Sequence, residues 1–328
     1  MNRDEIIHML READDYVSGQ ELCEHFGVSR TAVWKAVKQL EQDGYQIEAV
    51  NNRGYRLIEQ EDMMSALEIS RYMETEQIGK NLIFHKETGS TNLDAKQLAE
   101  EGAPEGTLVV ADMQTAGRGR RGRVWVSPSG EAVYMSLLLR PQCMPDSASS
   151  LTLVISLALV EAIEEIAPGM SGIKWPNDVV MNNKKLCGTL TEMSAELDAI
   201  HYVVIGSGIN VNQTSFADEI ASTATSLRLE LGRKINRSHL IARIMYYFEK
   251  DYALFQKTWD MTGLIDIYNK YLLNKDREVR VLDPKGEYTG VALGIDNKGE
   301  LLVKTEDGNV VTVYAGEVSV RGIYGYAV

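Results

Sequence analysis

Apolar positions along the N-terminal part change period from helical to alternating. Ile6, Ile7 and Leu10 recur at helical spacing after Asp4, which reads as the N-cap of a first helix. Ser18 precedes a second, short helix with Leu22 and Phe26 on one side and Gly27 as its stop. Ser29 opens a third, with Val33, Val37 and Leu40 as its apolar stripe and Gly44 at its end. Trp34 is read as a core-packing or aliphatic-face residue and not as a base-stacking one. The period then drops to two: Tyr45, Ile47 and Val50 lead through Asn51-Asn52-Arg53-Gly54 into Tyr55–Ile58, a β-hairpin. Residues 59–66 (EQEDMMSA) read as a polar linker or the start of a connecting helix.

From about 70 to 273, strands at 82–85, 107–112, 133–139 and 202–205 mix with helices at 92–101, 148–166 and 237–259. They do not alternate strictly, which argues against a doubly wound parallel sheet. The remaining residues carry short alternating strands with turns at Pro284-Lys285-Gly286, Asn297-Lys298-Gly299 and Asp307-Gly308-Asn309, the pattern of a small all-β barrel. The expectation is an α+β chain with boundaries at 1–62, 63–274 and 275–328. Its 328 residues suit two or three domains.

The most apolar run, Leu151 to Ile163, is too short for a span of about 20 residues, and the N-terminus has no signal-type apolar stretch. Cys23, Cys143 and Cys187 are far apart with no CxxC pair, which points to free thiols in a reducing compartment and away from a Cys-rich zinc site. A cytoplasmic protein without a membrane partner is expected.

Charge changes this picture locally. With 34 Lys+Arg against 47 Asp+Glu the net charge is -13, which speaks against general adhesion to nucleic acid. The distribution is uneven. Residues 1–27 are strongly acidic, whereas 28–58 hold Arg30, Lys35, Lys38, Arg53 and Arg56 against Glu41, Asp43 and Glu48. Helix, glycine turn, helix and hairpin together describe a winged helix-turn-helix, with its cations on the recognition helix and wing. Ser29, Arg30, Thr31, Lys35, Lys38 and Arg53 are the candidate DNA contacts. A protein-binding winged helix or a solvated helical face is the alternative. So few cations would bind DNA weakly as one copy, so a dimer on a two-fold operator is expected.

The segment Gly117-Arg118-Gly119-Arg120-Arg121-Gly122-Arg123-Val124-Trp125 formally satisfies GxGxxG. It runs into an extended stretch and does not open a helix, so it is not a dinucleotide fingerprint. Its glycines permit close backbone approach, and its four arginines suit phosphate oxygens. A basic surface loop, such as an RNA-contacting segment, is the bland alternative. Four weaker pieces accompany it. Gly89–Asn92 begins a helix after a strand, Lys174-Trp175-Pro176-Asn177-Asp178 forms a proline-stiffened turn, and Lys185-Leu186-Cys187-Gly188 places a second lysine near a strand start. Gly206–Asn212 reads as a strand end with a glycine turn and two amides.

In this order, these segments resemble the bacterial biotin–protein ligases over nearly the whole chain. More narrowly they resemble the bifunctional type that also represses the biotin operon. The resemblance implies a class II synthetase/lipoate-ligase-like catalytic domain and an SH3-like C-terminal barrel. It implies biotin and ATP as substrates, Mg²⁺, biotinyl-5′-AMP as intermediate, and transfer to a lysine of a biotin carboxyl carrier protein. Operator DNA is the second partner, and the adenylate-bound chain would be a homodimer. Biotin would meet Ser90, Thr91, Asn92, Gln114, Arg118, Gly119, Arg120 and Lys185. The adenylate would meet Arg118, Arg121, Arg123, Trp125, Asn177 and Asn210. Lys185, Arg120 and Asp178 would act in catalysis, and no metal site built by the protein is implied. A sensor that no longer ligates, and an adenylating enzyme for another acid such as lipoate, are the competing readings.

A loop closed over a reactive anhydride keeps it from water and from random lysines. Arg120→Gly is therefore expected to release biotinyl-AMP and label bystander proteins. Unchanged selectivity at equal activity, measured against a non-carrier protein, would refute that role.

Overall fold

The computed structural model describes residues 2–119, 122–283, 286–314 and 319–322, so Arg120, Arg121, the Pro284-Lys285 part of one expected turn and residues 323–328 lie outside the described residues. The chain begins with α1 (Arg3–Glu12), α2 (Gly19–Phe26), α3 (Arg30–Gln42) and the hairpin β1 (Gln46–Val50) and β2 (Gly54–Ile58). Ser18 and Ser29 cap α2 and α3 through backbone N–H groups of Glu21 and Ala32. The cap of α1 is Asn2, accepting from the Asp4 N–H at 3.1 Å, and Asp4 itself lies in the first turn. The hairpin turns at Val50↔Gly54. Gly54 has φ +121°, and a Cβ there would meet the Val17 carbonyl at 2.0 Å. That close approach exists because Val17 and Tyr55 exchange two 2.9 Å backbone bonds.

Ile6, Ile7, Leu10, Leu22, Val33, Val37 and Leu40 close one small core. Trp34 is not part of it. It is 52% exposed on α3, in helical register with Arg30 and Lys38. One residue is 100° of helical rotation, so a stripe built on 33, 37 and 40 turns position 34 outward.

The central unit follows with α4 (Ala66–Tyr72), β3 (Leu82–His85), α5 (Thr91–Glu100), β4 (Leu108–Ala111), β5 (Ala132–Leu139), α6 (Pro145–Ala148), α7 (Leu151–Glu164), β6 (Ser171–Lys174), β7 (Asp178–Met181), β8 (Lys184–Ala195), β9 (Ile200–Asn210), α8 (Asp218–Ala221), α9 (Leu227–Leu231) and α10 (Arg237–Phe255). Its seven strands are ordered β3-β4-β5-β9-β8-β7-β6. β3 and β4 are parallel and the other neighbours antiparallel, in keeping with the expected mixed order. Period-two alternation divides β9 between two faces. Val203, Ile205 and Ile209 enter the core shared with α7 and α10, whereas Tyr202 and Val204 pack with Ala95 and Ala99 of α5.

Pro145–Glu164 is long and apolar enough to cross a membrane by length and composition, longer than the 13-residue run suggested. It is the core helix: 72% of that apolar stretch is buried.

The chain ends with α11 (Ile265–Tyr271) and five strands, β10 (Glu278–Leu282), β11 (Tyr288–Ile295), β12 (Leu301–Thr305), β13 (Val310–Val313) and β14 (Ser319–Gly322), in an antiparallel sheet ordered β13-β12-β11-β10-β14. Its Val279, Val281, Leu301 and Val303 belong to the same apolar core as α7. The turn Asn297–Gly299 seals the junction. Ser150 Oγ donates to the Lys298 carbonyl at 2.8 Å, and the Met261 N–H donates to the Asn297 carbonyl at 2.7 Å.

Residues 59–66 lead into a connecting helix, α4, which starts at Ala66, and part of the polar segment before it is buried. The Asp62 side chain is 1% exposed, Met63 packs on the N-terminal core, Met64 enters the central core, and Ser65 caps α4. A sequence this polar looks flexible until its polar groups find buried partners.

Between α7 and α10, Glu161 and Asp251 face each other. Burial is the main cause that raises both carboxyls, and the adjacent Glu161 raises Asp251 further. Folding therefore holds a proton that the unfolded chain releases above the ordinary aspartate range, so this pair costs stability as pH rises. Asp251→Asn is expected to raise the melting temperature at pH 8, with the gain fading toward pH 4. Each kcal/mol corresponds to about 2–4 °C in a unit of this size. A pH-independent difference in thermal melts would contradict the assignment.

Candidate functional site

A cavity of about 520 Å³ opens on the α5 side of the central sheet. Its floor is bare backbone. A Cβ on Gly206 would stand 2.0 Å from Asn92 Oδ1, one on Gly208 would stand 2.6 Å from the Trp125 indole, and one on Gly188 would meet both Lys185 and Trp125 at 3.0–3.1 Å. The sequence reads Gly206–Asn212 as a strand end with a glycine turn, and the strand does end at Asn210, but Gly206 and Gly208 are not in a turn. They lie inside β9, where glycine marks a close approach of other groups.

At one end stands the N-terminus of α5. Ser90 is the N-cap but makes no side-chain capping bond. The cap is supplied by Gln114, whose Oε1 accepts from the Thr91 N–H at 2.9 Å and the Thr91 hydroxyl at 3.1 Å, while its Nε2 donates to Ser127 Oγ at 3.1 Å. Ser136 Oγ on β5 donates to Asn92 Oδ1 at 2.6 Å and lies 2.8 Å from Thr91 Oγ1. Asn92 Nδ2 donates to Glu192 Oε2 at 2.8 Å and to the Leu190 carbonyl at 3.4 Å. The Asn92 amide is thus engaged by protein at both ends. Burial raises the Glu192 carboxyl, but bonds from Lys96 and Asn92 outweigh it and hold the group below its ordinary range.

The arginine segment is a hairpin in its described part. Arg118 pairs with Val124, the Gly119 N–H donates to the Arg123 carbonyl at 2.8 Å, and the Trp125 N–H donates to the Gly117 carbonyl at 3.0 Å. The hairpin brings the Trp125 ring back over the glycine floor. Arg118, Gly119, Arg123 and Trp125 all line the cavity. Arg120 and Arg121 lie outside the described residues.

The opposite wall carries the lysines. β6 ends at Lys174 and β7 starts at Asp178, paired across a turn of Trp175, Pro176 and Asn177. Asp178 sits between two cations, with Lys185 Nζ at 2.6 Å from Oδ1 and Lys174 Nζ at 3.9 Å from Oδ2. Lys185 Nζ also lies 5.6 Å from the Trp125 ring centroid, within cation–π range. Asn177 Nδ2 donates to the Thr189 carbonyl at 2.8 Å, and Asn210 Oδ1 accepts from Gln213 at 3.2 Å. Trp175 is 1% exposed and donates its indole N–H to the Gly299 carbonyl at 3.0 Å, so it anchors the C-terminal sheet beneath the turn. Cys187 is fully buried, and burial pushes its thiol up, which leaves it a packing residue.

Ser90, Thr91, Asn92, Gln114, Arg118, Gly119, Arg123, Trp125, Asn177, Asp178, Lys185 and Asn210 therefore converge on one cavity from six chain segments. Sequence reasoning missed Glu192, Ser136 and the role of the glycines. The alternation Gly206-x-Gly208 within a strand was the available signal for the floor.

The candidate DNA residues occupy the N-terminal unit. Thr31, Lys35 and Lys38 are exposed on α3, and Ser29 caps it. Arg30 donates to Gln20 at 3.2 Å, Lys38 pairs with Glu41 at 2.6 Å, and Arg53 holds Asp15 at 2.6 Å over the Tyr16 ring.

Comparison with known proteins gives three matches to family models. Residues 84–210 match the biotin/lipoate A/B protein ligase family, residues 2–56 an HTH domain, and residues 276–321 the biotin protein ligase C terminal domain. The chain is 43% identical over 319 residues to the bifunctional ligase/repressor BirA of Bacillus subtilis, covering 96% of this chain and 98% of that one. It is 29% identical to the Escherichia coli protein of the same description, covering 94% of each. Among solved structures, the biotin protein ligase from Aquifex aeolicus in complex with biotin and ATP superposes with a TM-score of 0.64 at 34% identity, covering 74% of this chain and 99% of that one.

The floor of the cavity is open to test by volume alone. Gly206→Ala drives a methyl into Asn92 Oδ1 and breaks its bond from Ser136. Overpacking of this kind costs about 1–3 kcal/mol, read as a lower urea midpoint at unchanged slope. An unchanged midpoint would show that Asn92 is free to swing away.

Proposed function

The chain belongs to the biotin/lipoate A/B protein ligase family, and from that premise we propose that it joins biotin to a carrier protein using ATP and acts as a ligand-dependent transcriptional repressor. In the first half-reaction a biotin carboxylate oxygen attacks the α-phosphorus of ATP, giving biotinyl-5′-AMP as pyrophosphate leaves. In the second, the amine of a carrier lysine attacks the acyl carbon, giving an amide as AMP leaves and the amine loses a proton.

Both first substrates are anions, so their approach needs fixed positive charge. The observation that carries the proposal is the meeting, in one cavity, of the arginine hairpin, the lysine pair around Asp178 and the polar N-terminus of α5. Ser90, Thr91 and Gln114 suit the biotin head group, with Gly119 and Arg118 closing over it and Arg120 completing the closure. Asn92 serves this end by fixing Thr91 and Glu192 in place. Lys185 reaches the biotin carboxylate and the α-phosphate. Asp178 holds Lys185 and orients the incoming carrier lysine. Arg121, Arg123, Trp125, Asn177 and Asn210 form the nucleotide side.

The oxygen donors of Asn177, Asp178 and Asn210 suit a hard cation, and a site of one or two carboxylates completed by phosphates is the usual arrangement for Mg²⁺. Bound with ATP, Mg²⁺ supplies charge neutralisation of the phosphates.

The N-terminal unit, with Ser29, Arg30, Thr31, Lys35, Lys38 and Arg53 on its recognition helix and wing, would bind operator DNA as a homodimer formed when adenylate is bound. The carrier is the biotin carboxyl carrier protein, the compartment is the cytoplasm, and no membrane is involved. The working division of the chain is 1–62, 63–274 and 275–328.

Biotin-dependent exchange between ATP and pyrophosphate tests the first half-reaction. The wild-type chain is expected to exchange with biotin and not with lipoate, and Lys185→Ala to lose at least 100-fold. Exchange without transfer to a carrier domain would leave a sensor in place of a ligase.

A further inference from the structure

Asp62 precedes the first helix of the central unit by four residues, yet its carboxylate is spent inside that unit. Oδ2 accepts from Arg237 Nε at 2.8 Å and Asn212 Nδ2 at 2.8 Å, and Oδ1 accepts from the Arg237 backbone N–H at 3.0 Å. The same guanidinium donates through Nη1 to Asp112 Oδ1 at 2.8 Å and to the Ala132 carbonyl at 3.1 Å. The Arg237 side chain is 5% exposed. Asp112 in turn accepts from the Ser129 hydroxyl and, at 3.1 Å, from the Gly130 N–H.

These partners border the ligand cavity on two sides. Asp112 is two residues before Gln114, which caps α5. Ser129 and Gly130 close the C-terminal side of the arginine segment. Asn212 lies between Val211 and Gln213, beyond Asn210 in the cavity wall. On the other side, Met63 packs on the N-terminal core and touches Gly44, while its carbonyl accepts from Ser238 Oγ at 2.7 Å. Met64 enters the central core. Three successive residues are thus fixed to the ligand wall, the winged helix and the ligase core.

A buried guanidinium shared by two carboxylates tolerates little displacement, because each bond lost leaves charge without a partner in a low-dielectric setting. Ligand held by Gln114 and Arg118 steadies the adjoining Asp112, and through Arg237 it steadies Asp62 and the attachment of the winged helix. We propose that the Asp62–Arg237–Asp112 chain is the coupling element between the ligand cavity and the DNA-binding unit, with Asp62 as a positioning residue that touches neither substrate nor DNA. The proposal rests on the ligase/repressor reading. Linkage makes it reciprocal: DNA that favours one placement of the winged helix tightens adenylate binding by the same factor.

The test uses full-length wild type, Asp62→Asn and Ser238→Ala, the last loosening the same clamp without unpairing a buried charge. Duplexes are first selected from a random-sequence library by the wild-type chain with biotin and MgATP. Affinity for them is then measured with and without biotin and MgATP, beside biotin-dependent ATP–pyrophosphate exchange and amide hydrogen exchange. In Asp62→Asn the ligand-dependent gain in DNA affinity is expected to fall at least fivefold, with exchange of pyrophosphate within threefold of wild type. Ligand is expected to slow hydrogen exchange at residues 54–68 in the wild type and not in the variant, while 89–92 and 114–118 slow in both. If Asp62→Asn does not fold, Ser238→Ala is expected to show the same loss in smaller measure. A folded variant that keeps the wild-type gain, or a wild type whose residues 54–68 ignore ligand while the cavity is protected, overturns the coupling. If the wild type binds no DNA under either condition the repressor reading fails, and the hydrogen-exchange comparison still decides the coupling.

Discussion

A strand that leaves room is the constraint on which the site depends. β9 has to finish the core on one face, and it does so with Val203, Ile205 and Ile209. On the other face it supplies Gly206 and Gly208, so that Asn92 and the Trp125 ring can lie against backbone. Any side chain there would collide with Asn92 or the Trp125 ring, which themselves line the cavity. The cavity wall therefore depends on the absence of side chains at alternate positions of a strand whose other positions are among the most buried in the protein.

Charge is arranged around that floor by pairing. Arg118 and Arg123 stand on the hairpin and Lys174 and Lys185 on the opposite wall, in a chain with a net charge of -13. Asp178 stands between the two lysines, and Glu192 beside Asn92 holds Lys96. An entering polyanion finds cations already gathered, and the acidic remainder of the surface disfavours other polyanions. The winged helix follows the same rule, since Asp15, Glu41 and Glu48 hold Arg53, Lys38 and Arg56.

The three units are joined by buried polar contacts more than by chain connectivity. Trp175 hangs the C-terminal sheet beneath the catalytic turn through the Gly299 carbonyl. Arg11 on α1 and Tyr45 both reach the buried Glu68 of α4, at 2.9 and 3.1 Å. Each such contact is costly to break one-sidedly, so the units hold defined relative positions.

Much of this was legible in the residues themselves. Apolar periodicity and capping gave α2, α3 and the hairpin with their ends, because those signals act over four residues or fewer. The unusual density of arginine and glycine at 117–123, and the order of the smaller motifs, carried the resemblance and hence the chemistry. Local pattern failed wherever a distant partner decided the outcome. Asp62 looked like part of a polar linker or a helix start until Arg237, 175 residues later, buried it. Trp34 looked like a core residue because its type is apolar, whereas its angular position on α3 turns it outward. Gly206 looked like a turn, and only Asn92 and Ser136, brought from other elements, show why a strand needs glycine there. The sequence alone determined which elements form and what chemistry they carry, since both are set by neighbouring residues. The cavity, its floor and the junctions between units were decided by tertiary structure, since they exist only where segments far apart in the chain exclude water together.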